Sequence, residues 1–170
     1  MTAESPKPSL SVHPHGRMVL SGAALHHLMK SVLEKGVPFR FKAKGFSMTP
    51  FIRNGDVVTV FPVRGRTLKN GDVVAFINPA TAKLNVHRII QVWEKSYSIK
   101  GDNAFVPDGL IPGHSVLGVV GKIERKGRTV SLGVGLGRRL IALLSKSNLL
   151  FSRLLKAATA FRRFFGRTGA

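Results

Sequence analysis

The sequence predicts a mainly β protein: a curled antiparallel β-domain, with a short helix before it and basic amphipathic helices after it. Three observations carry this expectation. Residues 37–130 run in short Val/Ile/Phe-rich segments cut by Gly and Asn-Gly turns, the pattern of curled antiparallel sheet. Ahead of them, apolar residues recur at helical spacing over 21–36. Behind them, leucine and phenylalanine share a helical period with arginine and lysine.

Taken in order, residues 1–20 read as a flexible lead punctuated by Pro6, Pro8 and Pro14. Residues 21–36 read as an amphipathic helix. Leu25, Leu28, Met29, Val32 and Leu33 fall on one face, Ser21 is the N-cap and Gly36 the stop. Packing on the domain is the first expectation for that face, and a membrane or partner role the second. In the β-rich part, strands are expected at 39–44, 57–62, 72–77, 86–93, 96–100 and 116–124. Turn signals lie between them: Asn54-Gly55-Asp56, Asn70-Gly71-Asp72, Asn78-Pro79 and Lys126-Gly127. The two Asn-Gly-Asp-Val-Val copies read as similar turn-to-strand entries. Nothing else recurs at their spacing, so they do not indicate a repeat protein.

The tail, 131–170, turns helical. Leu140, Leu143, Leu144, Leu150, Phe151, Leu154, Leu155, Phe161 and Phe165 gather on one side of a helical wheel. Arg138, Arg139, Lys146, Arg153, Lys156 and Arg163 gather on the other. An apolar face opposite a basic face without acids is the signature of a helix lying in a membrane interface. An anionic membrane surface is therefore the expected partner of residues 136–167. Packing on the β-domain or on a second subunit is the alternative. Nucleic acid is not expected, because phosphate has no use for a Leu/Phe face.

Charge and composition set further bounds. The chain has 170 residues, 27 Lys and Arg, 8 Asp and Glu, and no cysteine. Disulfides, thiolate catalysis and cysteine-ligated metals are excluded. Residues 125–170 hold 11 basic and no acidic residues, so more than half of the net +19 lies there. The start of the chain lacks a basic–apolar–small leader pattern, and no apolar run reaches about 18 residues. The expected location is cytoplasmic, peripheral on the inner face of the membrane.

Two residues stand out chemically. Ser47 sits in Gly45-Phe46-Ser47-Met48-Thr49-Pro50, after a strand and before a proline that ends regular structure. His87 sits in Val86-His87-Arg88 on a strand-like run. A serine hydroxyl needs an adjacent base to be nucleophilic, and imidazole suits proton transfer near neutrality. The base needs a third group to orient it. Asp102, in Lys100-Gly101-Asp102-Asn103, and Asp108 are the candidates, whereas Asp56 and Asp72 read as turn residues. The other five histidines lie in the lead, the helix or a loop. No metal and no cofactor are expected.

These segments, with Gly55-Asp56 and Gly71-Asp72-Val73-Val74, resemble the ordered boxes of the type I signal peptidase and SOS-repressor superfamily of serine proteases. The resemblance covers about 38–124. Bacterial signal peptidases and self-cleaving repressors have lysine where this chain has His87. In that respect it is similar to the archaeal and endoplasmic-reticulum signal peptidases, which use Ser, His and Asp. The resemblance implies Ser47 as nucleophile, His87 as general base and Asp108 as orienting carboxylate, with Asp102 supporting the site or sharing that role. It also implies a protein or peptide substrate added in extended form beside Ser47 and Val86, with small residues next to the cut bond. Gly45, Met48, Pro50 and Val86 would bind it, Met48 lining a shallow pocket, and the Ser47 N–H would face the oxyanion. Signal peptidases normally carry a membrane anchor before the serine box. Here the basic tail is expected to replace it. The competing expectation is a non-catalytic module that holds a peptide and anionic lipid.

Overall fold

The computed structural model describes residues 22–130 and the backbone of two short strands before them, β1 (Leu10–Val12) and β2 (Met18–Leu20). These two pair antiparallel within the lead that the prolines led us to expect as irregular. Each spans three residues, too few for an alternation signal to register. The basic tail, with its expected membrane face, lies outside the described residues.

Helix α1 (Gly22–Glu34) sends Met29 and Leu33 into the core, one turn apart. Leu28, at the margin of the expected face, is exposed. The helix ends where Gly36 takes a positive φ of 84° and returns its N–H to the Leu33 carbonyl. The Arg64 guanidinium bonds the Glu34 carbonyl at the same end, where the helix dipole favours a cation.

The sheet contains β3 (Phe39–Lys42), β4 (Val57–Pro62), β5 (Val73–Ile77), β6 (Leu84–Val92), β7 (Ser96–Lys100), β8 (Leu110–Pro112), β9 (Val116–Arg125) and β10 (Arg128–Val130). All neighbours are antiparallel, in the order β3-β4-β9-β5-β6-β7-β8, with β10 also on β9. The protein is thus mainly antiparallel β with one short helix before the sheet. Strands β8 and β10 have no counterpart in the sequence reading. With three residues each, they are held by pairing and not by pattern.

Strand β9 pairs with β4, β5 and β10 along its length. Val119 pairs with both Phe61 and Val74, whereas Ile123 pairs with Val58 and Val130. Between the two registers Gly121 is an extra residue, a bulge that bends the strand and raises its twist. A side chain there would meet the Phe61 ring at 2.6 Å, and one at Gly118 would meet Val60 at 2.5 Å. Glycine lets β4 lie close over β9.

Two cores result, one on each face. Strand β5 is buried on both: Val73 and Ala75 join Met29, Leu33, Val58, Val60 and Ile123 under α1, whereas Val74 and Phe76 join Ile89, Ile99, Ile111 and Val119 opposite. Each such side chain contributes about 1.5–3 kcal/mol by leaving water. The two Asn-Gly-Asp turns are built alike. Asp56 and Asp72 each accept the N–H of the residue three earlier, Arg53 and Lys69, and Gly55 and Gly71 carry φ of 90° and 92°. Each carboxylate then meets an arginine, the distant Arg125 for Asp56 and the nearby Arg66 for Asp72.

Candidate active site

Ser47 lies between β3 and β4. Gly45, at φ 101°, turns the chain away from β3, and its N–H reaches Asn54 Oδ1 at 3.2 Å. Thr49 N–H then bonds the Phe46 carbonyl at 3.1 Å, and Phe51 and Ile52 N–H both bond the Met48 carbonyl at 3.0 Å. This tight turn is pinned by Met48 and Ile52, both buried under α1. Phe46 and Ser47 are left exposed on its outer side. Met48, expected to line a pocket, is instead core, and its sulfur accepts the Asp102 N–H at 3.5 Å. Pro50 is half-buried in the same turn, and its carbonyl accepts Arg53 Nε at 3.4 Å.

His87 is on β6, opposite Val74 of β5, with its ring 6.1 Å from that of Phe76. Its Nε2 is 2.8 Å from Ser47 Oγ. Its Nδ1 is 2.7 Å from Asp108 Oδ2. Asp108 stands on the loop between β7 and β8, where its own N–H donates to the Ile99 carbonyl at 2.8 Å and Gly109 takes φ 98°. Three segments far apart in sequence thus converge in one hydrogen-bonded line. With the Nδ1 proton directed at Asp108, Nε2 is the acceptor for the serine hydroxyl, the tautomer a general base needs.

Asp102 is not in that line. Both its oxygens bind Arg88, at 2.8 Å from Nε and 2.7 Å from Nη2, and both side chains are fully buried. Arg88 also donates to the Gly71 carbonyl at 2.9 Å and lies 5.4 Å from the centre of the Phe51 ring. Asp102 is thus placed on Arg88, on the face opposite His87, and the carboxylate at His87 Nδ1 is Asp108. The contribution of Asp102 is to hold the 101–103 turn. Gly101 lies so close to Ser47 that a Cβ would come 2.8 Å from the Ser47 carbonyl and 3.2 Å from His87 Nε2. Asn103 N–H donates to that same carbonyl at 2.7 Å, and its side-chain amide to the Phe46 carbonyl at 3.3 Å. Burial pushes the neighbouring Lys100 below its ordinary pKa, with Asp102 pulling it the other way.

Gly101, Asn103 and Arg88 were missed as site residues. Arg88 carried a signal: a charge inside the apolar run Val86–Ile90 demands a buried counter-ion. Gly101 and Asn103 carried only the look of a turn.

Val86 borders an open edge. Strand β7 covers β6 only from Arg88, which pairs with Lys100. Ile89 bonds Asp72 and Gly71 on the β5 side. By strand alternation the N–H and C=O of Val86 face the other edge of β6.

The remaining described histidines stand elsewhere. His26 and His27 stack on α1 at 4.2 Å, and burial, then His27 and Lys30, lower the His26 pKa. His114 lines a cleft of about 310 Å³ with Lys30, Glu34 and Arg64. Among the described residues no cluster of three or more His, Asp or Glu side chains is placed to hold a metal ion, and no helix is long and apolar enough to cross a membrane.

No curated protein matches the chain at a significant level. A family model described as Peptidase S24-like matches residues 23–123, from the second residue of α1 through most of β9. That span contains both cores, the turn bearing Ser47, the strand bearing His87 and the loop bearing Asp108, and it is more than half of the chain. The protein belongs to the Peptidase S24-like family.

Proposed function

We propose that this protein is a serine endopeptidase that cuts an extended peptide at a small residue, with His87 in place of the lysine base. One observation carries the proposal: Ser47 Oγ, His87 and Asp108 are linked by contacts of 2.8 and 2.7 Å, with the hydroxyl end exposed.

In this mechanism Ser47 Oγ attacks the scissile carbonyl as its proton passes to His87 Nε2. Asp108 keeps the ring oriented and stabilises the imidazolium. The Ser47 N–H faces the oxyanion of the tetrahedral intermediate, an interaction worth about 10²–10³ in rate. His87 then gives the proton to the leaving amine, and the acyl chain stays on Ser47 as an ester. A water, deprotonated by His87, attacks that ester and restores Ser47. The peptide adds along the open edge at Val86, where main-chain groups supply binding without demanding a sequence.

The test is the rate at which the full chain cuts a mixture of synthetic peptides. Ser47→Ala and His87→Ala are each expected to lower it by about three or more orders of magnitude. A wild-type rate in either variant, once contamination is excluded by repurification, contradicts the assignment.

The basic stretch 136–167 extends the proposal to location: the protein sits peripherally on the cytoplasmic face of an anionic membrane. Its chemistry supports this, through a Leu/Phe face opposite arginine and lysine. Co-sedimentation with vesicles containing anionic lipid, but not with neutral vesicles, is the expected result. Equal binding to both, or to neither, removes the proposal.

A further inference from the structure

The open edge of β6 is short. It ends at His87, because β7 occupies the position beside Arg88 and the turn 101–106 follows directly. A peptide lying along Val86 therefore cannot continue straight. Beyond the bond facing Ser47 it must climb out over that turn. The leaving nitrogen takes its proton from His87 Nε2, which stands at this same end. The half of the substrate that departs is thus the half passing over the turn.

What it meets there is apolar. Phe105 is 58% exposed and Val106 74% exposed. Phe46, next to the nucleophile, is 69% exposed, and Asn103 ties its carbonyl to the same turn. The charge next along the loop, Asp108, is engaged with His87. Three large apolar side chains thus stand exposed on two turns that the Asn103–Phe46 hydrogen bond ties together.

We infer that Phe105 and Val106, with Phe46, form the subsite for the leaving half of the substrate, which carries bulky apolar side chains in the first positions after the cut bond. This rests on the peptidase reading above. The selection is additional to the small residue before the bond. It arises because the fold forces the departing strand across an apolar turn.

The experiment uses the full chain and a library of synthetic decapeptides with alanine fixed at the centre and the other positions randomised. Cut sites are read by mass spectrometry. Leucine, isoleucine, phenylalanine and methionine are expected to be enriched about tenfold over serine and aspartate at the first or second leaving-side position. In the double variant Phe105→Ser/Val106→Ser that enrichment falls close to one, while the profile on the acyl side is retained. Phe105→Leu/Val106→Leu keeps the enrichment. Absence of enrichment in the wild type, or its persistence in the serine variant, overturns the subsite and leaves the peptidase reading intact. A serine variant that loses affinity for lipid vesicles but keeps its selectivity assigns the patch to a membrane and also overturns it. If no peptide is cut, the peptidase reading falls and the subsite with it.

Discussion

His87 and Arg88 are neighbours on β6, yet they project to opposite faces and meet their carboxylates in opposite surroundings. His87 faces Asp108 at 2.7 Å with both side chains slightly open to solvent, 11% and 14% exposed, and with Ser47 at the surface beyond. Arg88 faces Asp102 at the same 2.7 Å, but both are fully buried. The distance is shared and the chemistry is not. An imidazole near water can take up and release a proton. A guanidinium cannot be deprotonated, so its bidentate pair is fixed charge in a fixed place. The pair behind acts as frame: Arg88 holds Asp102, Asp102 sets the 101–103 turn, and that turn presses Gly101 and Asn103 against Ser47.

The contrast breaks first at Asp108. Asp108→Asn is expected to lower peptide cleavage by about 10²–10⁴, because the amide no longer favours the tautomer with the proton on Nδ1. Thermal stability should change little beside that loss. Cleavage within threefold of wild type would mean that Asp108 does not orient the base.

Arg88→Met should lower stability and activity together. It leaves Asp102 buried without its hydrogen-bonded partner, which costs about 3–5 kcal/mol. Urea unfolding followed by circular dichroism measures this. The double variant Arg88→Met/Asp102→Leu should recover much of the stability while activity stays low, since the 101–103 turn loses its tether. Full activity in a stable double variant would show that the pair is dispensable as a frame.

The smallest effect is expected at the Arg125–Asp56 pair, which is only partly enclosed. Arg125 bonds Asp56 at 2.7 Å and also reaches the Phe51 carbonyl at 3.0 Å, so it tethers the Ser47 turn from its far end. The Arg125 hydrogen bond holds the Asp56 carboxyl below its ordinary pKa. A depressed acid stabilises the fold above its unfolded pKa and loses that contribution as pH falls through the folded value. Asp56→Asn should therefore cost about 1–3 kcal/mol at pH 7 and leave a shallower fall in Tm on acidification below about pH 4. Parallel Tm curves for variant and wild type over that range would contradict the role given to Asp56.

Much of this was legible in the sequence, and the gaps have physical causes. The longer strands announced themselves because Val/Ile runs were bounded by Asn-Gly turns, as at Val57–Pro62 and Val73–Ile77. The three-residue strands at 110–112 and 128–130 have no period to detect; they exist because β7 and β9 offer them edges. The serine and the histidine could be named because each sat in an ordered box. The geometry separates two aspartates that the sequence left as alternatives, since only the fold shows that Arg88 is already bound to one of them. Met48 illustrates the opposite limit: next to Ser47 in sequence, it turns inward to pin the turn.

The central claim is that Ser47 is a nucleophile activated by His87. It is tested most directly by treating the full chain with a peptide-like serine acylating agent and locating the adduct by mass spectrometry. One adduct on Ser47 is expected, slowed by about 10² or more in His87→Ala and absent in Ser47→Ala. An unmodified Ser47 under conditions that label other serine peptidases, or equal labelling rates with and without His87, would contradict it.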